Sequence, residues 1–267
     1  MYLIVGAGIT GITLAERLAA DGKHVTLIDK RSHIGGNCYD YRTDDGILVH
    51  KYGPHIFHES DAAIIEYVSR FTEWTDYRHK VVALHRGDYF PVPMNRTSVS
   101  QFFGVDLATE DDVRDYLESK RIHGIEIGNS RDVVVSRFGE ELYEAFFRHY
   151  TKKQWDLYPE ELDKTILERL PIRYDDNPYY FDDAFQGLPK EGYTRMFEAM
   201  VDHPNIRLEL GTDFADFDRP KNYSCIVFTG RIDQYFDQRF GRLQYRCIDF
   251  RFERIPETAY QPYPVVN

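Results

Sequence analysis

Tyr2 to Val5 is an unbroken apolar run, and His24 to Ile28 is a second strand-like run that stops at Asp29. Short runs without strict alternation suit parallel strands buried on both faces. Between them Ile12, Ala15 and Leu18 fall at i, i+3 and i+6, one face of a helix, and Gly22 suits the position just past its end. The chain to Asp29 therefore predicts strand, helix, strand. Ile47 to Tyr52 reads as a short strand turned by Gly53-Pro54, and Asp61 to Arg70 as a helix carrying Ala62, Ile64, Ile65 and Val68. Lys80 to Leu84 and Tyr89 to Val92, joined by His85-Arg86-Gly87-Asp88, predict a hairpin. From about Ser98 to Tyr150 the periodicity is helical, with Thr109-Glu110-Asp111-Asp112 as a T-x-x-D start. Asp163 to Arg169 and Thr194 to Asp202 predict two more helices, the latter with Thr194 as its N-cap. Ile206 to Leu210, Tyr223 to Phe228, Tyr245 to Arg251 and Pro264 to Asn267 read as strands.

The turn after the first strand is Gly6-Ala7-Gly8-Ile9-Thr10-Gly11, a G-x-G-x-x-G between strand and helix. Gly6 permits the tight turn, Gly8 lets backbone approach a pyrophosphate, and Gly11 lets helix and strand pack closely. Asp29 stands where an acid accepts ribose hydroxyl hydrogen bonds, and its charge opposes a 2′-phosphate, which argues against NADP. A dinucleotide site follows. Ile34-Gly35-Gly36-Asn37 then supplies a second place where backbone can pass against the cofactor. The extended pattern resembles the FAD signature of glutathione-reductase and amine-oxidase type flavoproteins, so FAD is the expected cofactor. Thr229-Gly230, closing a strand, is either a further backbone approach to it or a plain turn.

The net charge of −11 opposes nucleic-acid binding and requires any anionic substrate to be held by local arginines. No apolar run is long enough for a membrane span. Met1 leads straight into the first strand, and Cys38, Cys225 and Cys247 lack metal spacing, so a cytoplasmic protein without a metal is expected. Tyr150-Thr151-Lys152-Lys153-Gln154-Trp155 sets two aromatics around basic residues. On spacing alone Trp155, Arg169, Arg173 and Tyr180 are core aromatics and surface arginines; a stacking platform with a phosphate clamp is the alternative. His55 is likewise either a turn histidine satisfied by backbone or a residue facing the flavin.

Six ordered segments carry a family. They are Arg31-Ser32-His33-Ile34-Gly35-Gly36-Asn37, HKYGPHIFH at His50 to His58, YTKKQW at Tyr150 to Trp155, RLPIRY at Arg169 to Tyr174, YYFDDAFQGLPKEGYT at Tyr179 to Thr194, and FTGRIDQYFDQRFG at Phe228 to Gly241. Together they span nearly the whole chain, which resembles the UDP-galactopyranose mutases, flavoenzymes that interconvert UDP-galactopyranose and UDP-galactofuranose. The resemblance implies an α/β fold: a Rossmann-like FAD domain of discontinuous segments (1–78 and 194–235), a helical insertion (98–155) and an antiparallel sheet domain (79–97, 156–193 and 236–267). It implies FAD contacts from Gly6, Gly8, Thr10, Gly11, Asp29, Lys30, Gly35, Gly36 and Asn37, with His55 and Ile56 beside the isoalloxazine. Tyr150 and Trp155 would contact the uridine part, with Thr151 a further substrate-binding residue. Arg169 would touch the diphosphate and Tyr180 the nucleotide-sugar, with His79 a further candidate. Arg169 and His55 are the expected catalytic side chains.

The implied reaction runs through reduced flavin N5 attacking the anomeric carbon as UDP leaves. The sugar ring opens and recloses on the flavin, and UDP returns. No net redox change occurs, but the flavin must first be reduced, with NADH or NADPH the expected reductant. The resemblance leaves a homodimer open. Family members continue beyond the segment matching Val265-Val266-Asn267, into a part carrying a second diphosphate arginine and two active-site tyrosines. The expectation is therefore a truncated mutase with weak FAD retention and little turnover. An amine-oxidase-like oxidoreductase and an inactive FAD- or UDP-sugar-binding fragment are the alternatives.

Overall fold

A computed structural model describes residues 1–169, 171–218, 223–245 and 247–267. Leu170, in the RLPIRY motif, and Arg246, in the strand predicted over Tyr245–Arg251, lie outside the described residues. In chain order the elements begin with β1 (Tyr2–Val5), α1 (Ile9–Ala20), β2 (Val25–Asp29), β3 (Asp40–Arg42), β4 (Leu48–His50), β5 (Phe57–Glu59) and α2 (Ala62–Ser69). Then come β6 (Val81–His85), β7 (Asp88–Val92), α3 (Arg96–Phe103), α4 (Glu110–Lys120), α5 (Ser130–Leu142), α6 (Arg148–Trp155) and α7 (Thr165–Glu168). The chain closes with β8 (Phe185–Gly187), α8 (Tyr193–Val201), β9 (Ile206–Leu210), β10 (Cys225–Phe228), α9 (Ile232–Tyr235) and β11 (Val265–Val266). Two compact units result. One holds Met1–Tyr77 and Asp183–Phe252, the other Arg78–Asp182 and Glu253–Asn267.

The first unit is built on a parallel sheet of order β10-β1-β2-β9. Both faces are covered, as the unbroken apolar runs require. Ile4, Val25 and Leu27 join Ile12 and Ala15 of α1 and Tyr193, Met196, Phe197 and Met200 of α8 in one core. Leu3, Val5 and Ile28 point to the other face, against Phe214, Phe217, Tyr223 and Phe228. The α8 residues fall at i, i+3, i+4 and i+7, one helical stripe. Phe197 is fully buried, so Phe197→Ala should cost about 3–5 kcal/mol. Buried Glu16 is held by the Tyr67 hydroxyl at 2.7 Å and by Arg70 at 3.1 Å.

The start of α8 corrects one expectation. Thr194 is not the N-cap; the helix begins at Tyr193, and Gly192 ahead of it provides no side-chain cap. Asp40, buried on β3, does that work by accepting the Tyr193 and Thr194 amides at 2.6 and 2.9 Å. Gly192 has φ +94°, and a Cβ there would lie 2.7 Å from the Asp40 carboxylate. A carboxylate at a helix N-terminus satisfies donors that would otherwise be orphaned.

The second unit carries a three-stranded sheet of order β11-β6-β7 and the helices α3 to α7. The β6–β7 hairpin turns at Arg86 and Gly87, both with positive φ, which matches strand twist. Asn95, Thr109 and Asn129 cap α3, α4 and α5, and Thr109 with Asp112 completes the predicted capping box. Met94, Val99, Val113, Leu117, Val134, Val135, Phe138, Leu142 and Tyr143 form the core. Gly139 breaks the helical backbone inside α5, with φ +80° and ψ 172°. A Cβ there would lie 2.5 Å from the Lys120 carbonyl, so the kink and the close helix approach share one residue. The strand expected over Tyr245–Arg251 is not formed among its described residues.

Candidate functional site

Two concave regions, one in each unit, hold many of the predicted residues; Thr10, Gly11, Gly35, His55, Ile56 and His79 line neither. In the first unit, a cleft of about 1490 Å³ opens at the carboxyl ends of β1, β2, β9 and β10. Open α/β sheets bind ligands at that edge. Gly6, Gly8, Asp29, Lys30, Gly36, Asn37, Thr229 and Gly230 line it.

The glycines are there because side chains would not fit. A Cβ on Gly6 would meet Thr229 Oγ1 at 2.2 Å, and one on Gly11 would meet the Gly6 carbonyl oxygen at 1.9 Å. Gly36 has φ +58°, and its Cβ would lie 2.9 Å from the Gly8 Cα. The two glycine segments therefore touch backbone to backbone, tied by the Gly35 amide donating to the Ala7 carbonyl at 2.8 Å. The N-terminus of α1 has Gly8 as N-cap with no side-chain cap, and no acid stands in its first turn. Its amides and dipole face an anion site, with Thr10 exposed beside them.

Asp29 does more than the ribose role predicted for it. One carboxylate oxygen accepts the Ala7 amide at 2.7 Å and the other accepts the Arg31 amide at 2.8 Å. It locks the glycine turn and still has lone pairs for a ligand hydroxyl. Arg31 donates to Asn37 Oδ1 at 3.0 Å and lies over the Tyr52 ring at 4.7 Å. Thr212, Asp213 and Phe214 at the end of β9, together with Arg31, also line the cleft. For Thr212, Asp213 and Phe214 the sequence signal is their place after a parallel strand.

His55 and Ile56, between β4 and β5, are not among the residues lining this cleft. His55 Nδ1 lies 2.9 Å from the Gly53 carbonyl, which can only accept, so Nδ1 carries the proton. Nε2 is the ring atom left for a ligand. His50 Nδ1 accepts the His55 amide at 3.1 Å. Burial pushes the His50 imidazole below its ordinary pKa, which keeps that nitrogen an acceptor. Cys38 is raised from 9.0 to about 11 by burial and then by Asp40, so it stays a thiol and has no nucleophilic character near neutrality.

In the second unit, a cavity of about 690 Å³ is lined by Tyr150, Thr151, Lys153, Gln154, Trp155, Arg169 and Tyr180 among others. Positions 150, 151, 154 and 155 form one stripe of α6. Gln154 donates to the Tyr150 hydroxyl at 2.5 Å, while Thr151 is buried. Asp156, with φ +54°, ends the helix and takes Lys152 as its ion-pair partner at 3.0 Å. Burial, then the nearby Tyr180, raise the Tyr150 phenol above its ordinary range. Lys153 and Arg169, both exposed, have neither ion pair nor side-chain hydrogen bond among the described residues. In a chain with 44 acidic residues, two unpaired cations on one cavity are a site for an anion.

His79, a candidate for this site, stands elsewhere, and Arg173 is not the surface arginine expected on spacing. His79 is buried behind Tyr180 and is not among the lining residues. Its ring meets Tyr180 edge-on at 5.7 Å and stacks on Phe181 at 5.8 Å. Arg173 is 7% exposed and spends its guanidinium on the Tyr179 and Tyr180 carbonyls and on Asp182. The phosphate clamp open to it on spacing is closed by that burial. Lys153 is the other exposed cation lining the cavity, and nothing in the YTKKQW pattern distinguished it from Lys152.

Comparison with known proteins gives concordant matches. Residues 145–267 match the family model for UDP-galactopyranose mutase, and residues 4–71 match that for an NAD(P)-binding Rossmann-like domain. A probable UDP-galactopyranose mutase of Klebsiella pneumoniae is 43% identical over 269 residues, covering 99% of this chain and 69% of the relative. A dTDP-fucopyranose mutase of Escherichia coli is 39% identical over 274 residues, covering 99% of this chain and 72% of that protein. A solved structure of reduced UDP-galactopyranose mutase matches with TM-score 0.58 at 20% identity, over 78% of this chain and 48% of that one. The chain thus spans about seven-tenths of these curated relatives and about half of the solved structure.

Proposed function

The chain belongs to the UDP-galactopyranose mutase family, and from that premise we propose that it interconverts UDP-galactopyranose and UDP-galactofuranose with FAD as cofactor. The first unit's cleft suits FAD on its own geometry. Gly6, Gly11 and Gly36 let the glycine turn, α1 and the Gly35-Gly36 segment pack closer than any Cβ would allow, the uncapped α1 N-terminus at Gly8 suits the pyrophosphate, and Asp29 suits a ribose hydroxyl. Lys30 and Asn37 border the same cleft, with Thr229 and Gly230 across from them. Bound and reduced, FAD supplies the nucleophile for the anomeric carbon. NADH or NADPH is the proposed reductant.

The protein's own task is to hold UDP as a leaving group that does not diffuse away. Trp155 and Tyr150 give the uracil and ribose apolar faces, and Tyr180 lines the same cavity. Arg169 neutralises the diphosphate charge that grows as the glycosidic bond breaks, aided by Lys153. His55, through Nε2, is the side chain proposed beside the flavin ring, with Ile56. The single observation that carries the reading is Arg169, without an ion-pair partner among the described residues, at an aromatic cavity in an acidic protein. Two exposed, unpaired cysteines, Cys225 and Cys247, support a reducing, cytoplasmic setting. Assembly as a homodimer is part of the proposal, and sedimentation checks it. No described helix is long and apolar enough to cross a membrane.

The test is anaerobic incubation of the FAD-loaded, dithionite-reduced chain with UDP-galactofuranose, followed by anion-exchange chromatography. UDP-galactopyranose should appear only with reduced protein. A chain that leaves the sugar unchanged but consumes oxygen with an amine is an oxidoreductase instead. The 39% identity to a dTDP-fucopyranose mutase supports a second substrate pair, so dTDP-fucopyranose is run in parallel.

A further inference from the structure

Among the charged side chains of the second unit, Arg173 stands out by burial. It is 7% exposed, so it cannot itself meet a ligand in the cavity. Its guanidinium donates to the Tyr179 carbonyl and, at 3.2 Å, to the Tyr180 carbonyl. It also pairs with Asp182 at 2.8 Å. The stretch it grips, Tyr179 to Asp182, belongs to no helix or strand. Such backbone has no ladder to satisfy its carbonyls, so partners must come from side chains or water. On the other side the Tyr180 amide donates to the His79 carbonyl at 2.8 Å, and the His79 ring meets the Tyr180 ring. The residue so gripped, Tyr180, is 39% exposed and forms part of the cavity wall.

We infer that Arg173 is a positioning residue for nucleotide-sugar binding: its buried guanidinium fixes the backbone of Tyr179 and Tyr180 so that the Tyr180 ring stays on the cavity wall. The inference rests on the cavity being the UDP-sugar site proposed above. Charge alone is not enough for this role. A lysine keeps the cation and can reach one acceptor, but it lacks the planar fork that serves two carbonyls and a carboxylate at once. Loss of the fork frees the segment, and the ordering of Tyr180 must then be supplied by the ligand on binding, which weakens affinity.

The test uses the full chain loaded with FAD and compares wild type with Arg173→Lys, Tyr180→Ala and the double variant. Hydrogen–deuterium exchange of the segment around Tyr180 reads the grip directly, and calorimetric titration with UDP reads its consequence. Arg173→Lys should speed exchange of the Tyr180 amide at least tenfold, leave FAD content unchanged, and weaken UDP binding about tenfold. In the Tyr180→Ala background the same substitution should weaken UDP binding less than twofold, because the ring it positions is gone. A general loss of stability would instead add its full effect in that background, and that result overturns the inference. So does unchanged exchange at Tyr180. If Arg173→Lys does not fold, Asp182→Ala, on the exposed partner, removes one arm of the grip. It should raise exchange two- to threefold, and no change there counts against the inference. A wild-type chain that binds no UDP removes the functional reading, while the exchange result still decides whether Arg173 holds the segment.

Discussion

Gly11→Ala separates the tertiary demand on the opening helix from its local preference. Alanine is the better helix former, so the substitution should stabilise an isolated helix by about 1 kcal/mol. In the folded protein the new Cβ would lie 1.9 Å from the Gly6 carbonyl oxygen and 3.2 Å from the Ile4 side chain. Ordinary contacts at carbon lie near 3.5–4.0 Å, so α1 must withdraw from β1 by roughly 1.5 Å. The clashing atom is backbone, and no rotamer change relieves it. Overpacking of this kind costs roughly 1–3 kcal/mol or more, and the upper end applies when backbone must move. The net expectation is a loss of about 2–3 kcal/mol, or roughly 5–10 °C in melting temperature for a body of this size. The same displacement pulls the α1 amides from the anion site, so flavin retention falls with stability. Gly22→Ala is the control: φ there is +74°, nothing lies within 4 Å, and only backbone strain of about 1 kcal/mol remains. Thermal melts by far-UV circular dichroism and flavin content after gel filtration give both numbers. A Gly11→Ala protein that melts with wild type and keeps its flavin refutes the close approach of α1 to the glycine turn.

Other expectations follow from the same geometry. Arg169→Ala removes an exposed cation with no side-chain partner among the described residues, so melting should shift by less than about 0.5 kcal/mol equivalent, while UDP binding weakens at least tenfold; equal losses in both would mark the arginine as structural. Asp29→Ala removes the acceptor of two backbone amides and should cost about 2–3 kcal/mol together with the flavin, as read by the same melts. The Cys38 pKa is raised on folding from 9.0 to about 11, so its contribution to stability is complete below about pH 9 and is lost as pH rises through about 11. Near neutrality, alkylation followed by intact mass should show Cys225 and Cys247 modified quickly and Cys38 slowly. Gly139→Ala sets a Cβ against the Lys120 carbonyl and should destabilise the second unit without touching flavin content; loss of flavin there would contradict the separate cores of the two units.

What the residues revealed in advance depended on how local the cause was. The glycine turn and the T-x-x-D cap are decided within a few residues, and each has the backbone the pattern required. The β6–β7 hairpin was legible because Arg86-Gly87 supplies a turn with both residues at positive φ. Distance along the chain hid the rest. Asp40 caps a helix that begins 153 residues later, so Thr194 looked like the nearer and sufficient cap. Arg173 looked like Arg169, since nothing local tells a buried arginine from an exposed one. The fold alone separated them, and with them the clamp on backbone from the cation left for a ligand. The alternation of Tyr245 to Arg251 resembled a strand, but no neighbouring strand pairs with its described residues, and alternation without a partner makes no ladder.

The central claim is that the aromatic cavity of the second unit receives the uridine diphosphate of a sugar nucleotide. Its most direct test is a titration of UDP followed by tryptophan fluorescence, with wild type and Trp155→Phe side by side. The chain has two tryptophans, and Trp155 is the one that lines the cavity. Wild type should show a saturable change that is abolished by Trp155→Phe and shifted to higher UDP concentration by Arg169→Ala. A wild-type protein with no saturable change, or a signal that survives intact without Trp155, contradicts it.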